Sequence, residues 1–312
     1  MKRLASACVL ILLGCTHVFA HGEEPHNTDE LWTAWTFDPL VVVMLVVSAT
    51  VYGIGVYKLW HEAETGSAIS VRGVLCYAAG WLSLVVALVS PVHSWGEVLF
   101  SAHMTQHEIL MLISAPLIVL GRPLIAAMWA MPRAWRLRVG SAVRNQAISS
   151  TWEFFTGPTV AFIVHGLALW VWHIPFLFQA TLENDLVHTL QHASFLGSAL
   201  LFWWAIVYGK RGVASYGAGV LYLFVTSIHS GVLGAFLTFT KRVWYPIYEP
   251  TTAQWGLSPL EDQQLGGLIM WVPAGVVYIV AALFMFAAWI NASERIAVRN
   301  KARRATPAAA EA

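Results

Sequence analysis

Charge is what this chain has least of. Only 11% of its 312 residues are Asp, Glu, Lys or Arg, against about 25% in an average soluble domain. So little charge cannot clothe a soluble core of this size. Cysteine is also scarce. There are three, Cys8, Cys15 and Cys76, with no Cys-x-x-Cys pair. That excludes a disulfide scaffold, a paired-thiolate metal motif and covalently attached heme c. Glycine has no three-residue period, and 58% hydrophobic residues leave no room for disorder. No internal repeat, phosphate-binding loop or nucleophile–base constellation is evident, so the sequence offers no support for an ATPase or a hydrolase. The stretch 263–291 has no lysine to carry a retinal-type Schiff base. What remains is an all-α, polytopic membrane bundle. One residue type is over-supplied for such a bundle: there are 12 histidines, and imidazole is costly to bury in hydrocarbon.

The N-terminus reads as a signal peptide over 1–20. Lys2 and Arg3 precede the apolar run Leu4–Cys15, and Val18-Phe19-Ala20 offers a small-residue cleavage site. An uncleaved anchor, or lipidation at Cys15 within Leu12-Leu13-Gly14-Cys15, are the alternatives. Cleavage after Ala20 would leave Cys76 as the one cysteine and His21 as the mature N-terminus. Residues 21–37 then form a polar periplasmic leader.

A crossing helix needs ~20 apolar residues. Seven candidates fall within 38–291, at about 38–60, 72–91, 98–120, 158–178, 186–208, 217–240 and 263–291. Leu124–Met131 is too short and, among arginines, reads as interfacial. Residues 292–312 read as a disordered basic cytoplasmic tail. Positive charge orients the bundle. One set of alternate segments holds Lys58, Arg72, Arg122, Arg133, Arg136, Arg138, Arg144, Lys210, Arg211, Arg295, Arg299, Lys301, Arg303 and Arg304; the other holds Lys241 and Arg242 alone. The mature N-terminus is expected outside and the tail in the cytoplasm.

With that orientation the histidines gather in the outer leaflet. At 1.5 Å per residue, His188, His192, His173 and His103 lie within about 9 Å of the outer ends of their helices, and His107 and His229 at about 14–16 Å. His93 sits at the outer end of the second candidate and reads as interfacial. His165 lies deeper and reads as a hydrogen-bonding group between helices. His103-x-x-x-His107 and His188-x-x-x-His192 each place two rings on one helical face. Met111 continues the first face one turn deeper, Met104 flanks it, and Met270 reaches a similar depth in the last candidate. Imidazole with thioether suits copper, above all the reduced ion, while imidazole alone suits zinc or copper. Gln106, Glu108 and Gln191 add polar groups to the same two helices, and Asp185 and Glu97 are placed to orient ring N–H groups. Two other uses fit the pattern. His103, His173 and His192 at similar depth would serve a b-type heme. A ladder down to His229, with His165 below, would serve copper or proton transport.

The residues around these histidines resemble the seven-span assembly-factor family of caa3-type cytochrome c oxidase, the CtaG family of that kind. The likeness runs over about 35–295 and rests on three stretches. The first is His103-Met104-Thr105-Gln106-His107, continuing to Ala115-Pro116-Leu117 and Leu120-Gly121-Arg122-Pro123-Leu124. The second is Trp172-His173-Ile174-Pro175, running on to His188 and His192. The third is Trp255-Gly256-Leu257-Ser258-Pro259, then Asp262-Gln263-Gln264-Leu265-Gly266-Gly267 and Met270-Trp271. The resemblance implies a non-enzymatic factor for assembly of a heme–copper oxidase, acting in copper supply at the bacterial inner membrane. Its implied partners are oxidase subunits, other assembly factors and a periplasmic copper chaperone, with no nucleic acid. The motif histidines are His103, His107, His173, His188 and His192; His229 joins on depth alone. Glu108 departs from the family pattern, which favours an apolar residue or methionine there.

Overall fold

The computed structural model describes residues 28–62, 68–209 and 213–305. The proposed signal peptide and most of the leader, with Cys8, Cys15 and His21, lie outside the described residues, as do Lys210 and Arg211. The described chain is helical, with short turns at 28–31 and 246–255 and twelve longer helices. These are α1 Pro39–Glu62, α2 Val71–Leu88, α3 Pro91–Val98, α4 Phe100–Leu120, α5 Pro123–Ala130, α6 Arg133–Val143, α7 Gln146–Phe155, α8 Pro158–Trp172, α9 Pro175–Glu183, α10 Asp185–Tyr208, α11 Val213–Phe239 and α12 Pro259–Ala305.

Local chemistry sets the helix starts. Asp38 accepts from the Leu40 and Val41 N–H groups at 2.7 and 3.2 Å, ahead of α1. Ser70 accepts from Gly73 N–H at α2. Asn184 accepts from Leu186 and Val187 N–H at α10. Proline opens α3, α5, α8 and α9, where its missing N–H costs nothing. Three boundaries differ from expectation. The second crossing ends at Leu88, because Ser90-Pro91 starts a new helix that carries His93. The fourth ends at Trp172, because Pro175 opens α9 instead of extending α8. The last does not give way to a disordered tail after Asn291, since α12 runs on to Ala305. Alanine, arginine, lysine and glutamate dominate that extension and all favour helix.

Among the described residues six helices are long and apolar enough to cross a membrane, and a seventh crossing forms if α7 and α8, bent by 50°, count as one. With α1, α2 and α12 turning most of their apolar residues outward, the fold is a polytopic membrane bundle. Helix α4 is the most buried crossing, in contact with α2, α3, α10 and α12. It is not regular. Residues Ile109–Ser114 form a π-helical stretch just past His107 and Glu108. Pro116 two residues on supplies no N–H to the helix, and π turns recur at functional sites. The Trp203 indole N–H donates to the Met111 carbonyl inside this stretch at 2.9 Å, and the Ser114 hydroxyl pairs with that of Ser83 at 2.7 Å.

Helices α11 and α12 pack most extensively. Gly234 and Gly267 face each other there, so close that a Cβ on Gly267 would lie 2.7 Å from the Gly234 carbonyl. Small residues of this kind let membrane helices approach. The segment 240–258 then crosses the end of the bundle that bears the histidines. Its Tyr248 and Tyr245 hydroxyls donate to the carbonyls of Gly96 and His173, and Thr251 donates to Val98. The Gln263 amide accepts from Trp244 N–H and donates to the Arg242 carbonyl, and Gln264 donates to the Thr240 carbonyl. Thus Gln263 and Gln264 anchor this segment. Helices α5–α7, with Arg133, Arg136 and Arg138 in α6, lie at the opposite end of α4. There Arg122, at φ 54° between α4 and α5, donates to the Ala68 carbonyl, and Lys58 donates to that of Ala130.

Candidate metal centre

Three helices bring five imidazole rings together. Helix α4 supplies His103 and His107, α10 supplies His188 and His192, and α3 supplies His93. Ring centroids are 4.4 Å apart for His103–His107, 4.3 Å for His188–His192, 5.3 Å for His103–His188 and 5.3 Å for His107–His192. One ring nitrogen from each of His103, His188 and His192 lies within 4.8 Å of the other two. The two i, i+4 pairs read from the sequence therefore face one another. His93 is the member that sequence reading left out. The signal that could have found it is Ser90-Pro91, which turns the chain into a new helix rather than letting it trail away at the interface.

Hydrogen bonding decides which nitrogens are open. The Gly96 carbonyl lies 3.2 Å from His103 Nδ1. A carbonyl can only accept, so Nδ1 carries the proton and Nε2 the lone pair. Tyr248 also donates to Gly96 O, at 3.0 Å. Burial holds its hydroxyl well above the usual tyrosine range, so it remains a donor. His103 Nε2 lies 3.2 Å from Gln191 Oε1, and with the ring proton on Nδ1 two acceptors would face each other. Turning the amide over sets its NH2 against the Nε2 lone pair and gives a partner to a group that is otherwise buried without one. His173 shows the same arrangement. Its Nδ1 is 2.6 Å from the Leu169 carbonyl, and its Nε2 is buried with no partner. Backbone-anchored imidazole with a free second nitrogen is the usual preparation of a histidine ligand.

The orphaned atoms test whether a metal fits. Nε2 of His188 and His192, and both nitrogens of His107, are buried without a partner. Each such group costs about 1–3 kcal/mol, and a metal ion can satisfy several at once. Bonds of about 2.0 Å put three ligand atoms ~3.5 Å apart, so small ring rotations would close the His103–His188–His192 group. The donor set is all imidazole. His107, 1% exposed, packs below against His192 and Phe195.

The other candidate residues lie around this group rather than in it. His173 is separated from the rings by Phe178 and Phe195. Met111 packs in an apolar cluster with Ala115, Phe195 and Trp203. Met270 packs in another with Phe100, Met104 and Phe178. His229 lies against Phe162, 5.7 Å between centroids, and makes no ring contact with the five among the described residues. His165 joins helices as expected, with Nδ1 3.1 Å from the Ser198 hydroxyl and Nε2 3.4 Å from that of Tyr278. One Glu108 carboxylate oxygen is buried without a partner. Glu97 lies 3.8 Å from His93 Nε2. Burial pushes the His93 imidazole down from its ordinary value, while Asp38 and Asp185 act the other way.

Comparison with known proteins places this arrangement. The chain is 25% identical over 290 residues to an uncharacterized protein of Mycobacterium leprae (strain TN), covering 89% of this chain and 42% of the relative. It is 26% identical over 283 residues to uncharacterized proteins of Mycobacterium bovis and Mycobacterium tuberculosis, with the same coverage. The chain thus spans less than half the length of the curated relatives it matches. No solved structure matches it. The profile of the cytochrome c oxidase caa3 assembly factors matches residues 50–292, which takes in α4, α10, α12 as far as residue 292 and every histidine of the cluster; the chain belongs to the caa3-type cytochrome c oxidase assembly factor family.

Proposed function

We propose that this protein is a non-enzymatic assembly factor for a heme–copper oxidase and that it holds copper at His103, His188 and His192. The observation that carries the copper reading is the convergence of three ring nitrogens within 4.8 Å in a pocket where neighbouring imidazole nitrogens lack partners. Three neutral imidazoles with no carboxylate or thiolate among them suit copper, and His107 stands one turn deeper as an exchange ligand. The rings touch one another and leave no slot for a porphyrin between them, which favours an ion over a b-type heme. The charge bias of the connecting segments supports an orientation with the histidine end on the periplasmic face of the bacterial inner membrane and the arginine end in the cytoplasm. Copper would arrive from a periplasmic chaperone and leave toward an oxidase subunit.

Metal content and visible spectrum of the purified protein test this reading. Wild type is expected to hold about one copper per chain and no Soret band. A variant with His103, His188 and His192 all replaced by alanine should hold none. Equal copper in both would sink the assignment, and a Soret band in wild type would replace it with heme.

A further inference from the structure

The copper group is walled in on most sides. Toward α12 stand Phe100, Tyr245 and Tyr248, none more than 2% exposed, and deeper stands Phe195 at 0%. One side differs. There the His93 side chain keeps 17% of its surface, and Glu97 beside it keeps 52%. Asp185 is exposed in the first turn of α10, three residues ahead of His188. With Asp38, whose carboxylate caps α1, it sets a negative field around His93. The opening is therefore acidic, and such a rim raises the local concentration of a cation.

His93 fills that opening. Its ring lies parallel to His188, with centroids 5.3 Å apart and planes at 12°, and 6.2 Å from His192. Its nitrogens are nonetheless not presented to the group. The Gln106 amide nitrogen lies 2.7 Å from the Ala87 carbonyl and 2.9 Å from His93 Nδ1. An amide has two protons, and both are used. Turning the amide over would set its oxygen against the Ala87 carbonyl, so its orientation is settled. His93 Nδ1 is thus an acceptor, and the ring proton sits on Nε2, facing Glu97. Neither nitrogen is left with a free lone pair for an ion.

We propose that the ion reaches its site from the periplasm through this acidic opening, and that His93, clamped by Gln106, is the gate across it rather than a ligand. The inference rests on the copper reading above and adds to it a route and a residue. Opening requires the His93 ring to leave Gln106 and swing off His188. Glu97 and Asp185 then act by attraction alone, without binding the ion in its final place.

Stopped-flow exchange of Cu(I) with a colorimetric chelator, on the full chain in nanodiscs, tests the gate. His93→Ala opens the passage and should quicken uptake and release together, by about tenfold, as a lowered barrier does. His93→Phe keeps a ring in the opening and should exchange at the wild-type rate or more slowly. Glu97→Gln with Asp185→Asn should slow uptake at low ionic strength and converge on wild type in high salt. Slower uptake in both His93 variants would make His93 a ligand and overturn the gate, as would an unaltered rate in His93→Ala. If wild type takes up no Cu(I), the copper reading falls and the gate falls with it; if wild type loads normally, a failure in the variants condemns the gate alone.

Discussion

The Asp262 carboxylate caps the helix that carries His103. One oxygen accepts from Phe100 N–H at 2.7 Å; the other accepts from Ser101 N–H at 3.1 Å and from the Ser101 hydroxyl at 2.5 Å. The residue before α4, Leu99, has no side chain able to do this, so the cap comes from α12, 162 residues away. Asp262 is fully buried, and the three donors together replace its lost hydration. Replacement by alanine uncaps α4 and should cost about 1–2 kcal/mol. A lower thermal midpoint together with weaker copper retention is expected for Asp262→Ala. Normal copper retention in that variant would show that the cap serves stability without placing His103.

The π stretch in α4 is bonded by Trp203. Its indole N–H is the donor to the Met111 carbonyl, and both residues are buried. Trp203→Phe keeps an aromatic ring but leaves that carbonyl unpaired, at a cost of about 1–3 kcal/mol. Thermal unfolding in detergent should show the drop. An unchanged midpoint would mean that the π stretch re-forms as regular helix without the indole.

How far these features can be read in the sequence depends on how local they are. The spacing of His103 with His107, and of His188 with His192, fixes two ring pairs on two helix faces, and the charge bias puts both pairs at one end. Periodicity and composition reach that far because they act within one helix. The meeting of α3 with α10, which brings His93 over His188, is tertiary packing and leaves no local trace beyond Ser90-Pro91. The same holds for Asp262, whose partners are 161 and 162 residues distant. In the last crossing, basic residues past Asn291 read as a solvated tail, yet the same residues have high helix propensity and α12 simply continues. Met111 and Met270 illustrate the opposite error of emphasis. Their depth suits a ligand, but their side chains lie among Phe, Leu and Ala, where methionine fills irregular space.

The contact of α11 with α12 predicts a steric test. A Cβ on Gly267 would meet the Gly234 carbonyl, the Thr238 N–H and the Thr238 hydroxyl, all at 2.7 Å. Two of these are backbone atoms and cannot turn aside. Gly267→Ala should destabilise by about 1–3 kcal/mol. Gly275, with nothing within 4 Å of its Cβ position, should accept alanine without loss. The difference in thermal midpoint between the two variants isolates the steric effect, and equal midpoints would place the helices further apart.

Topology is testable without any metal. A cysteine at Glu97 should react with a membrane-impermeant maleimide in intact cells or spheroplasts. One at Arg138, in α6, should react only after permeabilisation. Cys76, partly buried in α2, supplies the background to subtract. The reverse labelling pattern would place the histidine end in the cytoplasm, and with it the source of the ion.

Gln191 offers the most direct reading of how His103 is held before an ion arrives. The Gly96 carbonyl fixes the proton on Nδ1, so the Gln191 amide beside Nε2, turned to present its NH2, occupies the Nε2 lone pair. An ion can bind that lone pair only by displacing the amide, and the displaced NH2 is left buried. Gln191→Leu removes the competitor while retaining most of the volume. Without it, His103 Nε2 is unsatisfied in the empty site, and the empty site is raised in energy by about 0.5–1.5 kcal/mol. The filled site loses nothing. Copper affinity should therefore rise about two- to tenfold, measured by competition with a chelator of known affinity for Cu(I). A loss of affinity would reverse the assignment: Gln191 would then orient the His103 ring toward the ion instead of standing in its place.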